Sequence, residues 1–452
     1  LFAETLGDSE VSGLDESAST PAERLFREAV KSLAAGVTAG LRWHPYLGHP
    51  FYVSRGEGPY LYDLGGRRVV DFNMANGAVL LGHGHPAVVE AVQTGLAAGV
   101  LTASETEHHV RLAESVCRIV PCAERVRFAA TGTEAVLVAV RLARHSTGRR
   151  KILLFAGHYH GLAEPFLFRP PDPAGDGKPR PASGGVPATY GEDVIIVPWN
   201  DAEAVDRALA RHRGEIAAVL CEPVHYNAGC IPPQPGFLPY LRDRTQDEGI
   251  VLIFDEVLSG FRMALGGAQQ HFGVTPDLST LAKAVANGMP LAVICGRADL
   301  MEQLSPAGPV AHSGTYSGQL LSVLAALATL RELQAPGLYP ALNSRAERFY
   351  SQLQETFDRA GVPACVQGLG ARFGIYFGRR EPVITWAQAL DCDHSLHRRF
   401  VLGCLERGLF FHAYLGLPGH AGFSLAHTGE VLDHALTVFE DVARHLATGP
   451  GG

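Results

Sequence analysis

The chain has 452 residues, 46% hydrophobic and 19% charged, with a formal net charge of −8 at pH 7. That length exceeds what one small core holds and predicts two compact lobes, or one large lobe with an appended one. The acidic balance gives no reason to expect nucleic-acid binding, and no apolar run approaches the roughly 20 residues that span a bilayer.

The first 20 or so residues are polar and are expected to fray. Leu1-Phe2-Ala3-Glu4 reads as a trimmed end with no signal peptide, because no basic stretch leads into an apolar run. Thr20-Pro21-Ala22-Glu23 is a capping box with Pro at the first helical position, followed by Phe26, Val30 and Leu33 at helical spacing. Pro59–Asp63 and Val69–Phe72 flank Gly65-Gly66, which is a hairpin signal.

From about residue 88 strands and helices alternate. Apolar runs at Val126–Ala129, Ile152–Phe155, Val194–Val197, Ala217–Cys221 and Val251–Phe254 are separated by helical periods that include Ala135–His145 and Ala202–His212. The pattern predicts a mainly parallel sheet covered by helices. Pro170–Gly191 is rich in Pro and Gly and reads as a long surface loop over a site. A helical pattern from Leu320 to Leu333 leads into a second lobe, with Gly374–Phe377 and Leu409–His412 as its strands and a last helix from about Leu432 to Leu446.

The eight cysteines are scattered without a CxxC pair, which favours reduced thiols and a cytoplasmic protein. Lysine is scarce: Lys31, Lys151, Lys178 and Lys283 are the four among 38 basic residues. Lys283 sits in the apolar stretch Leu281–Ala286, where arginine would serve any purpose except chemistry at a carbonyl.

Four features carry chemistry, each with a plainer alternative. Ala129–Ala135 contains Thr131-Gly132-Thr133-Glu134 between a strand and a helix; backbone N–H groups there hold phosphate well, although a capped turn has the same look. Asp255 ends another strand, where a carboxylate pairs with a protonated ring nitrogen or simply caps the next helix. Lys283 follows Asp277–Leu281; a desolvated amine is a nucleophile, whereas an edge lysine reaches out to water. In His158-Tyr159-His160-Gly161 the Tyr159 ring either stacks on a flat heteroaromatic ring or packs at a turn. Phosphate cradle, ring-nitrogen acid, amine and stacking ring are the four parts that a pyridoxal-5′-phosphate (PLP) site needs, and their co-occurrence at element boundaries favours one.

These residues resemble the class III aminotransferases of PLP fold type I, on the branch holding glutamate-1-semialdehyde aminomutases and aryl-glycine and β-phenylalanine aminotransferases. The resemblance spans about Phe26 to Leu446. It rests on Gly82-His83-Gly84-His85-Pro86, Thr131–Ala135, Tyr159-His160-Gly161, Glu222-Pro223-Val224, Phe254-Asp255-Glu256-Val257, Gly314-Thr315, Pro232–Leu238 and Leu425–Thr428. It implies an α/β fold with a large PLP-binding domain over 76–334 built on a mostly parallel sheet. A smaller α+β domain is implied over 335–452, with 1–75 as an N-terminal segment contributing to it.

The resemblance further implies a homodimer with a shared active site, taking small-molecule amino donors and acceptors and cycling between PLP and pyridoxamine 5′-phosphate. Lys283 would form the Schiff base and shuttle the proton, and Asp255 would pair with the ring nitrogen. Gly132 and Thr133 would bind phosphate, with Thr315 reaching over from the other subunit. Tyr159 and Val257 would flank the ring, and Asn227 and Glu222 would lie near its hydroxyl. Arg42 matches a position that grips a substrate carboxylate, with Asn76 and His158 beside the substrate and Tyr316 close by. His83 and His85 are read as a turn, not a metal pair, since no further ligands are placed.

Departures from the aminomutases fall in the substrate region. Ala286-Asn287-Gly288-Met289-Pro290 replaces a Gly-rich stretch, Asn76 replaces a Trp, and His420 replaces an acidic residue. No Arg lies between Gly408 and Leu425, where many relatives place a mobile one. An intermolecular aminotransferase is therefore the first reading. An intramolecular aminomutase is the second, and a non-catalytic PLP-fold binding protein the third.

Overall fold

The computed structural model describes residues 20–172, 177–414 and 419–448. The expected polar start lies outside them except for Thr20, as do residues 173–176 of the expected long loop. Seven apolar runs form the central sheet: β1 (Arg125–Ala129), β2 (Lys151–Phe155), β3 (Val194–Val197), β4 (Ile216–Cys221), β5 (Val251–Glu256), β6 (Leu278–Leu281) and β7 (Ala292–Gly296). Their order is β3-β2-β4-β5-β6-β7-β1. The first five pair in parallel, and β7 runs antiparallel to both its neighbours. Every residue of β4, β5 and β6 is buried. Helices cover both faces of a parallel sheet, so its strands read as unbroken apolar runs instead of alternating ones. β7 is absent from the runs picked out above because it follows β6 through a short 3-10 turn (Lys283–Ala286), with no helix to mark the alternation.

The helix Gly132–Thr147 starts with Thr131 accepting from the Glu134 N–H and Glu134 reaching back, and it ends at the left-handed Gly148. Its small buried residues, Ala135, Ala139 and Ala143, let it lie close on the sheet. Helices Pro86–Ala98 and Leu320–Leu333 also approach closely. A Cβ at Gly95 would sit 2.5 Å from Leu324 Cδ1, so glycine permits the contact. The first helix runs Pro21–Ala29 with the expected capping box, but it ends before Val30 and Leu33, which are exposed.

The N-terminal hairpin forms as expected from Tyr60–Asp63 and Arg68–Asp71, with Val53–Glu57 added antiparallel. The expected second-lobe strands both form, in different sheets: Leu409–Phe410 pairs in parallel with Arg68–Asp71. Arg372–Phe377 pairs instead with Ala364–Leu369 and Ala421–Gly422. Sequence-distant partners decide such pairing, and apolar runs alone do not name them. Phe72, Phe349, Phe373, Phe400, Phe411 and Phe439 interlock between these two sheets; Phe72 and Phe411 stack with centroids 5.0 Å apart. Truncating one such ring to Ala costs about 3–5 kcal/mol.

Candidate active site

Strands β1, β2, β4, β5 and β6 deliver their carboxyl-end residues to one edge of the sheet, the place where open α/β sheets bind ligands. A cavity of about 310 Å³ lies there. Its walls include Thr131, Gly132 and Thr133 after β1, Tyr159, His160 and Gly161 after β2, and Glu222 and Asn227 after β4. Asp255, Val257 and Leu258 line it from β5, and Lys283 from the end of β6.

The Lys283 residue is half-buried by surface area, yet protein surrounds its amine. Desolvation lowers its pKa from 10.5 to about 8, against the charges of Asp255 and Glu222, which favour the ammonium. Its backbone is left-handed at φ 47°, a conformation that a lysine adopts only when its surroundings impose it. Asp255 is buried and fully engaged: Oδ2 lies 2.7 Å from His160 Nδ1, and Oδ1 accepts from the Val257 N–H at 3.0 Å and from Thr280 Oγ1 at 3.4 Å. Thr133 Oγ1 accepts from the Leu162 N–H at 3.3 Å, which leaves its own O–H free to donate.

Glu222 spends Oε1 on the Tyr159 N–H at 2.8 Å, while Oε2 is buried without a partner. Burial raises its pKa to about 7. Tyr159 is half-buried, and its phenol is raised by desolvation and by the charge of Asp255. Val257 faces Gly132 so closely that a Cβ there would lie 2.9 Å from Val257 Cγ2.

The remaining sequence candidates lie off this cavity. His158 packs between Trp199 and His225, and its Nδ1 accepts from the Glu222 N–H at 3.0 Å. Desolvation lowers its pKa well below the usual value. Asn76 is half-buried and accepts from the Tyr414 hydroxyl at 2.8 Å. Arg42, at the end of the turn Gly40–Arg42, and Thr315 are exposed in the single chain. Among the described residues no cluster of His, Cys, Asp or Glu is arranged to hold a metal, and His83 instead lies 2.8 Å from Asp71. The sequence reading passed over two contributors, His160 as partner of Asp255 and Thr280 beneath it. His160 stands in a motif quoted for its tyrosine, and nothing in one sequence says which way each side chain turns.

The family model for class III aminotransferases matches residues 44–413. The chain belongs to the class III aminotransferases. An omega-transaminase from Sphaerobacter thermophilus shares 32% identity at TM-score 0.89, over 96% of this chain and 99% of that one. A β-phenylalanine aminotransferase from Variovorax paradoxus shares 30% at TM-score 0.83, over 93% of each. A glutamate-1-semialdehyde aminomutase from Pseudomonas aeruginosa, at 24% identity and TM-score 0.83, shares the fold.

This aminotransferase uses PLP, and its residues fit that group. A helix N-terminus with a free threonine hydroxyl suits phosphate. The unpartnered Glu222 Oε2 awaits a donor. Tyr159 and Val257 both line the cavity, and a side chain at residue 132 would run into Val257.

Proposed function

We propose that this aminotransferase exchanges an amino group between an amino acid and a carbonyl acceptor through Lys283. The observation that carries the reading is the buried Lys283 amine sharing one cavity with the engaged Asp255 carboxylate and the N-terminus of the helix Gly132–Thr147. Bound PLP supplies an aldehyde and an electron sink.

Gly132 and Thr133 would hold its phosphate, and Tyr159 and Val257 would hold its ring from two sides. Glu222 and Asn227 would meet its ring hydroxyl, and Asp255 would keep its ring nitrogen protonated. Lys283 would present its amine to that aldehyde, and its neutral Nζ, when free, would be the base that holds and moves the proton of the amino-bearing carbon. A pKa near 8 keeps a useful fraction of that amine unprotonated at neutral pH. His160, Thr280 and the Val257 N–H fix the Asp255 carboxylate so that it needs no rearrangement when charge develops.

Three finer points belong to this proposal. The enzyme is a homodimer that brings Thr315 to the neighbouring site; exposed Leu96, Val110, Leu162 and Tyr316 support an apolar contact of that kind. It works in a reducing, cytoplasmic setting, which the free cysteines support. Its chain divides near residues 75 and 334. The test is Lys283→Ala: turnover and borohydride-trappable cofactor both vanish while the melting profile persists. A fully active variant would overturn the assignment.

A further inference from the structure

Asn287 stands in Ala286-Asn287-Gly288-Met289-Pro290, where the aminomutases carry a Gly-rich stretch. Its side chain bonds a segment far away in the sequence. Oδ1 accepts from the Leu81 N–H at 2.9 Å, and Nδ2 donates to the Gly82 carbonyl at 3.2 Å. An amide carries both an acceptor and a donor, so one side chain can serve two backbone groups at once. The backbone of Asn287 is left-handed at φ 45° and ψ 46°. Asparagine tolerates that conformation better than most residues with a side chain. Glycine would tolerate it too, but could make neither bond.

Asn287 closes the 3-10 turn Lys283–Ala286, and Lys283 opens it. Ala282, just before the lysine, offers no side-chain cap at that end. Ala284, Val285 and Ala286 are buried in the core that also holds Val323 and Ala326. Such packing is non-directional; the two bonds from Asn287 add a fixed direction. The segment they reach is itself held from three sides. The Leu80 carbonyl accepts from the Leu425 N–H at 2.8 Å, and His83 exchanges backbone bonds with Gly58 at 2.8 Å each way. The His83 ring lies 2.8 Å from Asp71 Oδ2. A Cβ on Gly82 would sit 2.7 Å from Ala426 Cβ, so the segment has no slack there. Ala78 and Gly288, one from each of the joined segments, both line the cavity with Lys283. A Cβ on Gly288 would lie 3.3 Å from Val79 Cγ2, so the two segments run side by side.

We propose that Asn287 is a positioning residue for Lys283: by clamping the lysine turn to the Leu81–Gly82 backbone, it fixes where the amine enters the cavity. This rests on the reading of Lys283 as the reactive amine and adds a residue that sets its place. Asn287 touches no reacting atom and acts through the turn. An amine that works at one carbon gains rate from a fixed tether, because a misplacement of about 1 Å can cost roughly 100-fold.

The test compares the wild type with Asn287→Gly, which keeps the left-handed backbone and loses both bonds, and Asn287→Asp, which keeps the acceptor for Leu81 and loses the donor to Gly82. In the apoenzyme, hydrogen exchange at the Leu81 amide should quicken in N287G and stay near wild type in N287D. The rate at which apoenzyme captures PLP in borohydride-trappable form should fall roughly tenfold in N287G. In the loaded enzyme kcat should fall roughly 10- to 100-fold with KM nearly unchanged; N287D should lie between on both rates. Three results would each overturn the proposal: unchanged Leu81 exchange in N287G, a lowered melting midpoint with wild-type capture and kcat, or a raised KM with kcat intact. If N287G does not fold, N287D decides, and wild-type capture and kcat in that variant would overturn the proposal. Failure of the wild type to capture PLP would instead defeat the aminotransferase reading.

Discussion

His160 Nδ1 lies 2.7 Å from Asp255 Oδ2, and both side chains are buried at the end of the central sheet. The imidazole comes from the turn after β2 and the carboxylate from β5, so the contact ties two strand ends together. It orients the acid from within the cavity wall.

Removing that imidazole should therefore slow the chemistry more than it weakens substrate binding. His160→Ala leaves Asp255 with the Val257 N–H and the Thr280 hydroxyl. Loss of a hydrogen bond to a charged group is worth about 1.5–3 kcal/mol. Steady-state kinetics should show kcat reduced roughly 10- to 100-fold with KM nearly unchanged. A changed KM with an intact kcat would count against the orienting role.

Thr133→Val keeps the shape of the side chain and removes its hydroxyl. In the protein that oxygen accepts only the Leu162 N–H, leaving its proton for a phosphate. Cofactor affinity, read by titrating apoenzyme with PLP, should fall roughly tenfold or more. Unchanged affinity would place the phosphate elsewhere.

Gly161→Ala should damage the site from behind. A Cβ there would sit 2.3 Å from Thr133 Oγ1, and the backbone is left-handed at φ 96°. The turn that carries Tyr159 and His160 must then shift away from the helix start. Destabilisation of about 1–3 kcal/mol is expected from overpacking and backbone strain, together with weaker cofactor retention. Chemical denaturation of apo and loaded protein measures both.

Lys283 gives the apoenzyme a pH signature. Its folded pKa, about 8, lies below its ordinary value of 10.5 because burial disfavours the ammonium. Below pH 8 both folded and unfolded chains carry the charge, and the buried ammonium weakens the fold in full. Between about 8 and 10.5 the unfolded chain binds more protons, so this group raises stability as pH rises. The difference in melting midpoint between wild-type and Lys283→Met apoenzyme should shrink across that window. A flat difference would mean that the amine is not desolvated.

The sequence by itself determined the sheet and the chemistry of its rim. Unbroken apolar runs such as Val194–Val197 and Val251–Phe254 became parallel strands, because a run buried on both faces has few other fates. The capping box at Thr131 and the lone lysine in an apolar stretch marked a helix start and a reactive amine with no knowledge of neighbours. Only tertiary structure decided which distant groups meet. It placed Leu409–Phe410 beside Arg68–Asp71, turned His160 toward Asp255 and His158 away from the cavity, and brought Arg372 to Gly77. Periodicity reports which face of an element is buried. The partner on that face is chosen by long-range packing and charge, and these act between residues hundreds of positions apart.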